Sequence, residues 1–226
     1  MNYIDCDNIS ININANIITS VSGDTVNCKV IQGNGVKKQV TLQSQDFDKL
    51  RVFGPFEVYY INSPTNSITV SADQNIIDSD LIDIYNDNKV LSIRTKSRAA
   101  YTSRNNFTVI IRSPNVSNIE FYGNGKIYLK NINQDNIHVL LNKSGDIVMD
   151  GYIKNATLVN AANGRIKAEN LKSDNLTLQL NGNGRIYAKA SKFLDAEVNG
   201  KGKIIIYGRP QEKKINVNSN GQIKYR

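Results

Sequence analysis

Gly123-Asn-Gly-Lys-Ile127, Lys143-Ser-Gly-Asp-Ile147, Ala162-Asn-Gly-Arg-Ile166, Gly182-Asn-Gly-Arg-Ile186, Gly200-Lys-Gly-Lys-Ile204 and Ser219-Asn-Gly-Gln-Ile223 are six copies of one pattern: a small residue or Lys, any residue, Gly, any residue, Ile. Their central glycines, Gly125, Gly145, Gly164, Gly184, Gly202 and Gly221, are separated by 20, 19, 20, 18 and 19 residues. Self-similarity at a fixed period of this length is the signature of stacked repeats. Registered on the glycine, the apolar residues fall into columns. Two positions on stand Ile127, Ile147, Ile166, Ile186, Ile204 and Ile223; four positions on stand Leu129, Met149, Ala168, Ala188, Ile206 and Tyr225. Six before stand Ile119, Val139, Leu158, Leu178, Ala196 and Ile215, and four before stand Phe121, Leu141, Asn160, Leu180, Val198 and Val217.

Offsets of two place these side chains on one face of a strand on each side of the glycine, which marks a corner. Each repeat reads as strand, Gly corner, strand and a further short side. No such unit buries its own apolar face, so the units must stack, coil on coil, about 4.8 Å apart. The expectation is an all-β parallel β-helix or β-solenoid with coils of about 19 residues, regular over residues 115–226. Gly and Asn suit the corners because both tolerate positive φ, and Gly also lets successive backbones approach. Asn160, in an apolar column, must satisfy its amide inside or tilt outwards. An α-helical reading fails, because stretches such as Asn175-Leu-Thr-Leu-Gln-Leu-Asn181 alternate strictly.

The first half is less regular. Leu50–Phe53, Phe56–Ile61, Ser67–Ala72, Val90–Thr95 and Phe107–Arg112 read as strands, with turns at Gly54-Pro55 and Asn62-Ser-Pro-Thr65. Asn75–Tyr85 reads as a short helix or an irregular connection, and Ser97–Asn106 as a polar loop. Gly33-Asn-Gly35 echoes the repeat, 19 residues before the turn glycine Gly54 when counted from Gly35. Residues 1–45 are expected to form an N-terminal cap, covering apolar side chains and strand edges that would otherwise be exposed.

The run Asp46-Phe-Asp-Lys-Leu-Arg-Val-Phe-Gly-Pro-Phe-Glu-Val58, then Val90-Leu-Ser-Ile93, then Val109-Ile-Ile-Arg-Ser-Pro-Asn-Val-Ser-Asn-Ile119 leading into the glycine ladder, resembles the bacterial family described as putative autotransporter adhesin, head GIN domain. The resemblance spans about residues 46–226. It implies an all-β solenoid in an exported or envelope-associated protein (periplasm, outer membrane or cell surface), with a surface-binding role and no catalytic residues to carry over. The sequence departs from the family pattern where the middle residue of the repeats is mostly Asn instead of Ser. No export signal is visible at the N-terminus, where Asn12, Asn14 and Asn16 interrupt any apolar core.

The chain has 226 residues, with 28 Lys and Arg against 20 Asp and Glu, a formal charge of +8. No apolar run approaches the roughly 18 residues of a membrane helix. Two cysteines, Cys6 and Cys28, and the lone His138 give no metal set. The Gly-Asn-Gly copies lack the Gly-Lys-Ser/Thr ending of phosphate loops, and an acid follows a corner only at Asp146, which excludes a calcium β-roll. The carboxylates Asp46, Asp48, Asp78, Asp80 and Asp83 cluster in connections, whereas Asp146, Asp150, Glu169 and Glu197 share no column. No acid–base pair emerges, and no cofactor or enzymatic activity is expected.

The outward face carries the functional expectation. The position after the corner glycine holds Lys126, Asp146, Arg165, Arg185, Lys203 and Gln222, a basic stripe broken at one coil, with Tyr128 and Tyr187 two positions further on. Charge and ring stacking there suit an anionic polysaccharide, lipopolysaccharide or nucleic acid, and the family resemblance, which implies an envelope or host surface, ranks nucleic acid below glycan. The candidate contact set is Lys126, Arg165, Arg185, Lys203, Tyr128 and Tyr187. Two alternatives remain: a self-assembling β-helical scaffold, with homo-oligomers, and a polysaccharide-cleaving β-helix enzyme.

Overall fold

The computed structural model describes residues 29–96 and 99–226; Cys6 and Cys28 both lie outside them. In chain order the elements are β1 (Lys29–Gln32), β2 (Lys37–Gln43), β3 (Lys49–Phe53), β4 (Glu57–Asn62), β5 (Ser67–Asp73), α1 (Gln74–Ile77), β6 (Ile82–Asp87), β7 (Val90–Thr95), β8 (Ala99–Thr102), β9 (Thr108–Ser113) and β10 (Asn118–Phe121). Then follow β11 (Lys126–Leu141), β12 (Asp146–Asn160), β13 (Arg165–Leu180), β14 (Arg185–Val198), β15 (Lys203–Tyr207), β16 (Glu212–Val217) and β17 (Gln222–Tyr225). The chain is an all-β solenoid of stacked parallel coils, and the predicted columns are its registers: Ile127 pairs with Ile147, Ile147 with Ile166, Ile166 with Ile186, Ile186 with Ile204 and Ile204 with Ile223.

Strands β11 to β14 each run through two long sides and a short one. The short side, with Ile132–Gln134 against Gly151–Ile153 against Leu171–Ser173, belongs to the same hydrogen-bonded ribbon. The chain bends into it at register shifts after Leu129 and Val148, where Asn131 (φ 52°) and Gly151 (φ 118°) adopt the left-handed conformation. The Gly-x-Gly corners do not. None of their central glycines has φ in the left-handed region, so the conformational reason for glycine there is corrected. The close-approach reason holds: a Cβ on Gly164 would lie 2.1 Å from the carbonyl oxygen of Gly145 in the preceding coil.

The column side chains are buried from Phe121 to Ile206 and fill the space between the two long sides. Each buried Leu, Ile or Val stabilises the stack by roughly 1.5–3 kcal/mol relative to exposure. Asn160 stays inside. Its Nδ2 donates to the carbonyl of Gly164 (2.8 Å) and of Arg185 (3.2 Å), and its Oδ1 accepts from the backbone N–H of Ala162 (3.1 Å). One amide thus bolts a corner to the next coil at no cost in orphaned polar atoms.

Asparagines also stack outside the core. Asn175 donates to Asn155 and Asn155 to Asn136 (2.7 and 2.9 Å); Asn218 donates to Asn199 and Asn199 to Asn181 (2.8 and 3.0 Å). These two ladders account for part of the high asparagine content.

At the N-terminal end the regular parallel pairing gives way to antiparallel pairing. One long side continues from β11 through β4 and β9 to β5 and β2, the last two joining antiparallel; the other continues through β10, β3 and β7 to an antiparallel β6. The segment 75–85 is accordingly split between the single-turn α1 and strand β6, and the expected polar loop 97–106 contains β8, which pairs with β1. The corner ladder begins at Gly54, whose carbonyl oxygen would lie 2.0 Å from a Cβ on Gly123. Gly33 stands elsewhere: a Cβ there would meet the carboxylate of Asp73.

Candidate anion-binding face

The side of the solenoid that carries the post-corner positions presents two outward columns. The first runs Glu57, Lys126, Asp146, Arg165, Arg185, Lys203, Gln222; the second runs Tyr59, Tyr128, Val148, Lys167, Tyr187, Ile205, Lys224. All six candidate residues therefore lie on one face, but they do not form one patch.

Asp146 does more than interrupt the stripe. It is buried, accepts Nε and the terminal nitrogen of Arg165 at 2.8 and 2.7 Å, and lies 3.3 Å from Nζ of Lys167. Burial would raise its pKa, yet the bonds from Arg165 and Lys167 outweigh it and hold the carboxyl below its ordinary range. Two cations of the face are thereby committed to one carboxylate. Lys126 is cut off on the far side of Asp146, beside Glu57. Beyond it, Arg185, Lys203 and Lys224 have no carboxylate within ion-pair distance among the described residues.

The tyrosines separate in the same way. Tyr128 stacks on Tyr59 with ring centroids 4.7 Å apart and planes within 10°, and Nζ of Lys130 lies 5.8 Å from the Tyr128 centroid. The Tyr59 hydroxyl donates to Glu57 at 2.8 Å; burial first, then that carboxylate, push its pKa up to about 12. Stacking on Tyr59 takes up one face of the Tyr128 ring. Tyr187, three coils from Tyr128, has no ring partner among the described residues and stands between Arg185 and Lys189 on β14.

Next to this face a shallow depression of about 350 Å³ is lined by Ser144, Asp146, Asn163, Arg165, Asn183 and Arg185, with Gly164 and Gly184 at its floor. The corner asparagines Asn163 and Asn183 are exposed at its rim. Sequence reading missed this recess, because it named the corners only as structure. The signal was present in the Asn-Gly-Arg triplets at 163–165 and 183–185.

The carboxylates weighed for hydrolysis are engaged elsewhere. Asp78 pairs with Lys38, Asp80 with Lys96, Asp83 with Arg94 and Asp48 with Lys89. His138 is exposed on the opposite long side. Among the described residues no three His, Cys, Asp or Glu side chains come together as a metal site, and no helix is long and apolar enough to cross a membrane.

The solenoid has counterparts among solved structures. A putative adhesin from Bacteroides fragilis superposes with a TM-score of 0.70 at 23% identity over 87% of this chain and 100% of the other. A putative lipid binding protein from Parabacteroides distasonis gives 0.59 at 20% identity over 88% and 100%, and a putative adhesin from Parabacteroides merdae 0.54 at 18% over 87% and 99%. At these identities the likeness is one of fold. No curated protein matches the chain. The family model for the putative auto-transporter adhesin head GIN domain matches residues 46–210, from strand β3 through the last fully buried coil, and the chain belongs to that family.

Proposed function

We propose that the protein is a non-catalytic, surface-displayed or envelope-associated binding module that holds anionic glycans on the face bearing Arg185, Lys203, Lys224 and Tyr187. One observation carries this reading: Arg185 and Lys203 stand on consecutive coils without a carboxylate partner among the described residues, while Lys49, Arg51, Arg94, Lys96, Arg165 and Lys167 are all paired. Charged hydrogen bonds to a guanidinium contribute more than those to a neutral donor, and the half-exposed Tyr187, without an aromatic partner among the described residues, adds apolar contact for a sugar. The family membership supports display outside the cytoplasm, and the paired state of the clustered aspartates supports a role without hydrolysis.

The test is a glycan array probed at two salt concentrations, followed by titration of the best ligand. The triple replacement of Arg185, Lys203 and Lys224 by Gln is expected to abolish salt-sensitive binding while leaving the melting temperature unchanged. Absence of binding by the unmodified protein to any anionic glycan would sink the reading.

Asp146→Asn provides a gain-of-function check. Removing the carboxylate frees Arg165 and Lys167 and joins them to the Arg185 patch, so affinity for the same glycan should rise by roughly fivefold to tenfold at low salt. Unchanged or weaker binding would show that Arg165 and Lys167 take no part in the ligand's field.

A further inference from the structure

We infer that the glycan lies parallel to the solenoid axis, with successive acid groups on successive coils at Arg185 and Lys203, and that its class is a linear polysaccharide bearing one carboxylate or sulfate per sugar. This rests on the binding reading above. Two directions of travel are open to a chain on this face. Along the axis, equivalent side chains recur at each coil, about 4.8 Å apart; along a strand, same-face side chains recur at every second residue, about 6.7 Å apart. From Arg185 the first direction leads to Lys203 and the second leads past Tyr187 to Lys189. A single sugar residue is close in length to one coil step, so a polymer with one acid per residue keeps register with Arg185 and Lys203, whereas Lys189 is two steps along the strand with a ring between.

The recess points the same way. Its walls come from three successive coils, Ser144 and Asp146 from the first, Asn163 and Arg165 from the second, Asn183 and Arg185 from the third, so its long dimension follows the axis. Its lining runs from Asp146, whose carboxylate is already engaged by Arg165 and Lys167, to Arg185, and Lys203 stands beside Arg185 on the next coil. Hydroxyl and amide groups at Ser144 and Asn163 suit sugar hydroxyls at that end, and the unpaired cations suit the acids at the other. A single-stranded nucleic acid would need several free rings as stacking platforms. Tyr187 has no aromatic partner among the described residues but is half-buried between Lys167 and Ile205, and the Tyr128 ring is already stacked on Tyr59.

Calorimetric titration with oligogalacturonates of one to six residues, their methyl esters, chondroitin sulfate oligomers and oligo(dT) decides the matter. Lys203→Gln is expected to weaken the acidic trimer by roughly tenfold, as expected for loss of one charged hydrogen bond, and Lys189→Gln to leave it unchanged within about twofold. The methyl esters should bind at least tenfold more weakly than the acids, and affinity should rise from one residue to three. Thermal melts of both variants matching the parent confirm intact coils. Loss on Lys189→Gln with none on Lys203→Gln would reverse the orientation and overturn the inference while leaving the binding reading in place. Tighter binding of oligo(dT) than of either glycan would overturn the ligand class. Failure of the parent protein to bind any acidic oligomer would remove the binding reading itself.

Discussion

Gly184→Ala is expected to lower the unfolding midpoint by roughly 10 °C, corresponding to about 3 kcal/mol in a chain of this size. A Cβ at this position would lie 2.1 Å from the carbonyl oxygen of Gly164 and 2.6 Å from Nδ2 of Asn160. Neither can give way cheaply. The Gly164 oxygen accepts the backbone N–H of Arg185 (3.0 Å) and the Asn160 amide (2.8 Å), so moving it breaks the bonds that hold two coils at their spacing. Because φ at Gly184 is outside the left-handed region, the loss comes from contact alone, and Asn183→Ala on the exposed side of the same corner should change stability by less than about 0.5 kcal/mol. Thermal unfolding followed by circular dichroism checks both. A Gly184→Ala protein melting within a couple of degrees of the parent would show that the coils can spread to admit a methyl group.

Asp73→Ala is expected to cost about 3 kcal/mol and to loosen the N-terminal cap, because it removes the buried acceptor shared by three donors and strands the backbone N–H of Arg104. Asp73 is fully buried at the end of β5 and accepts hydrogen bonds from the Ser103 hydroxyl (2.7 Å), the Arg104 backbone N–H (2.9 Å) and the Asn105 amide (2.5 Å). Burial pushes its pKa up, but these bonds outweigh burial and bring it from 3.8 to about 2. A folded-state pKa below the unfolded one means stability that is present above pH 3.8 and is lost as the pH falls toward 2. Melting curves recorded from pH 5 down to about 2 should therefore show a steeper descent in the parent than in the Ala variant, which keeps only the contribution of other carboxylates such as Asp146. Parallel descents would assign the acid sensitivity to other carboxylates.

The coils were legible in the sequence and the cap was not, for a physical reason. Within the ladder every repeat answers the same question, so Ile127, Ile147, Ile166, Ile186 and Ile204 report one environment five times and all are buried. The cap has no repeats to average over. Its segment Ile82–Asp87 alternates like a strand but follows a helical turn at Gln74–Ile77, and its antiparallel partner β7 is set by long-range pairing that no local pattern encodes. On the candidate face, stacking order could be read, since it follows from the period. What one coil does to the next could not: that Asp146 would be buried and grasp two cations, or that Tyr59 from the irregular half would cover Tyr128, depends on side-chain reach across coils. The role of the corner glycines was half legible. Their position followed from spacing, but the distinction between a left-handed turn and a backbone pressed against its neighbour needs coordinates.

Within the two ladders Asn155, Asn175, Asn199 and Asn218 each donate to the asparagine of the coil before, whose amide oxygen accepts. A completed coil thus waits with acceptors in place, and the next arrives carrying donors. Coils added from the opposite end would meet waiting donors instead of acceptors. The ladders give the stack an arrow that starts at the antiparallel cap and points toward the C-terminus, the same sense in which a ribosome releases the chain. Folding that begins at the cap and follows the arrow adds each coil to a ready template, keeps every new contact about 20 residues from the last, and so holds the entropy of loop closure nearly constant as the molecule lengthens.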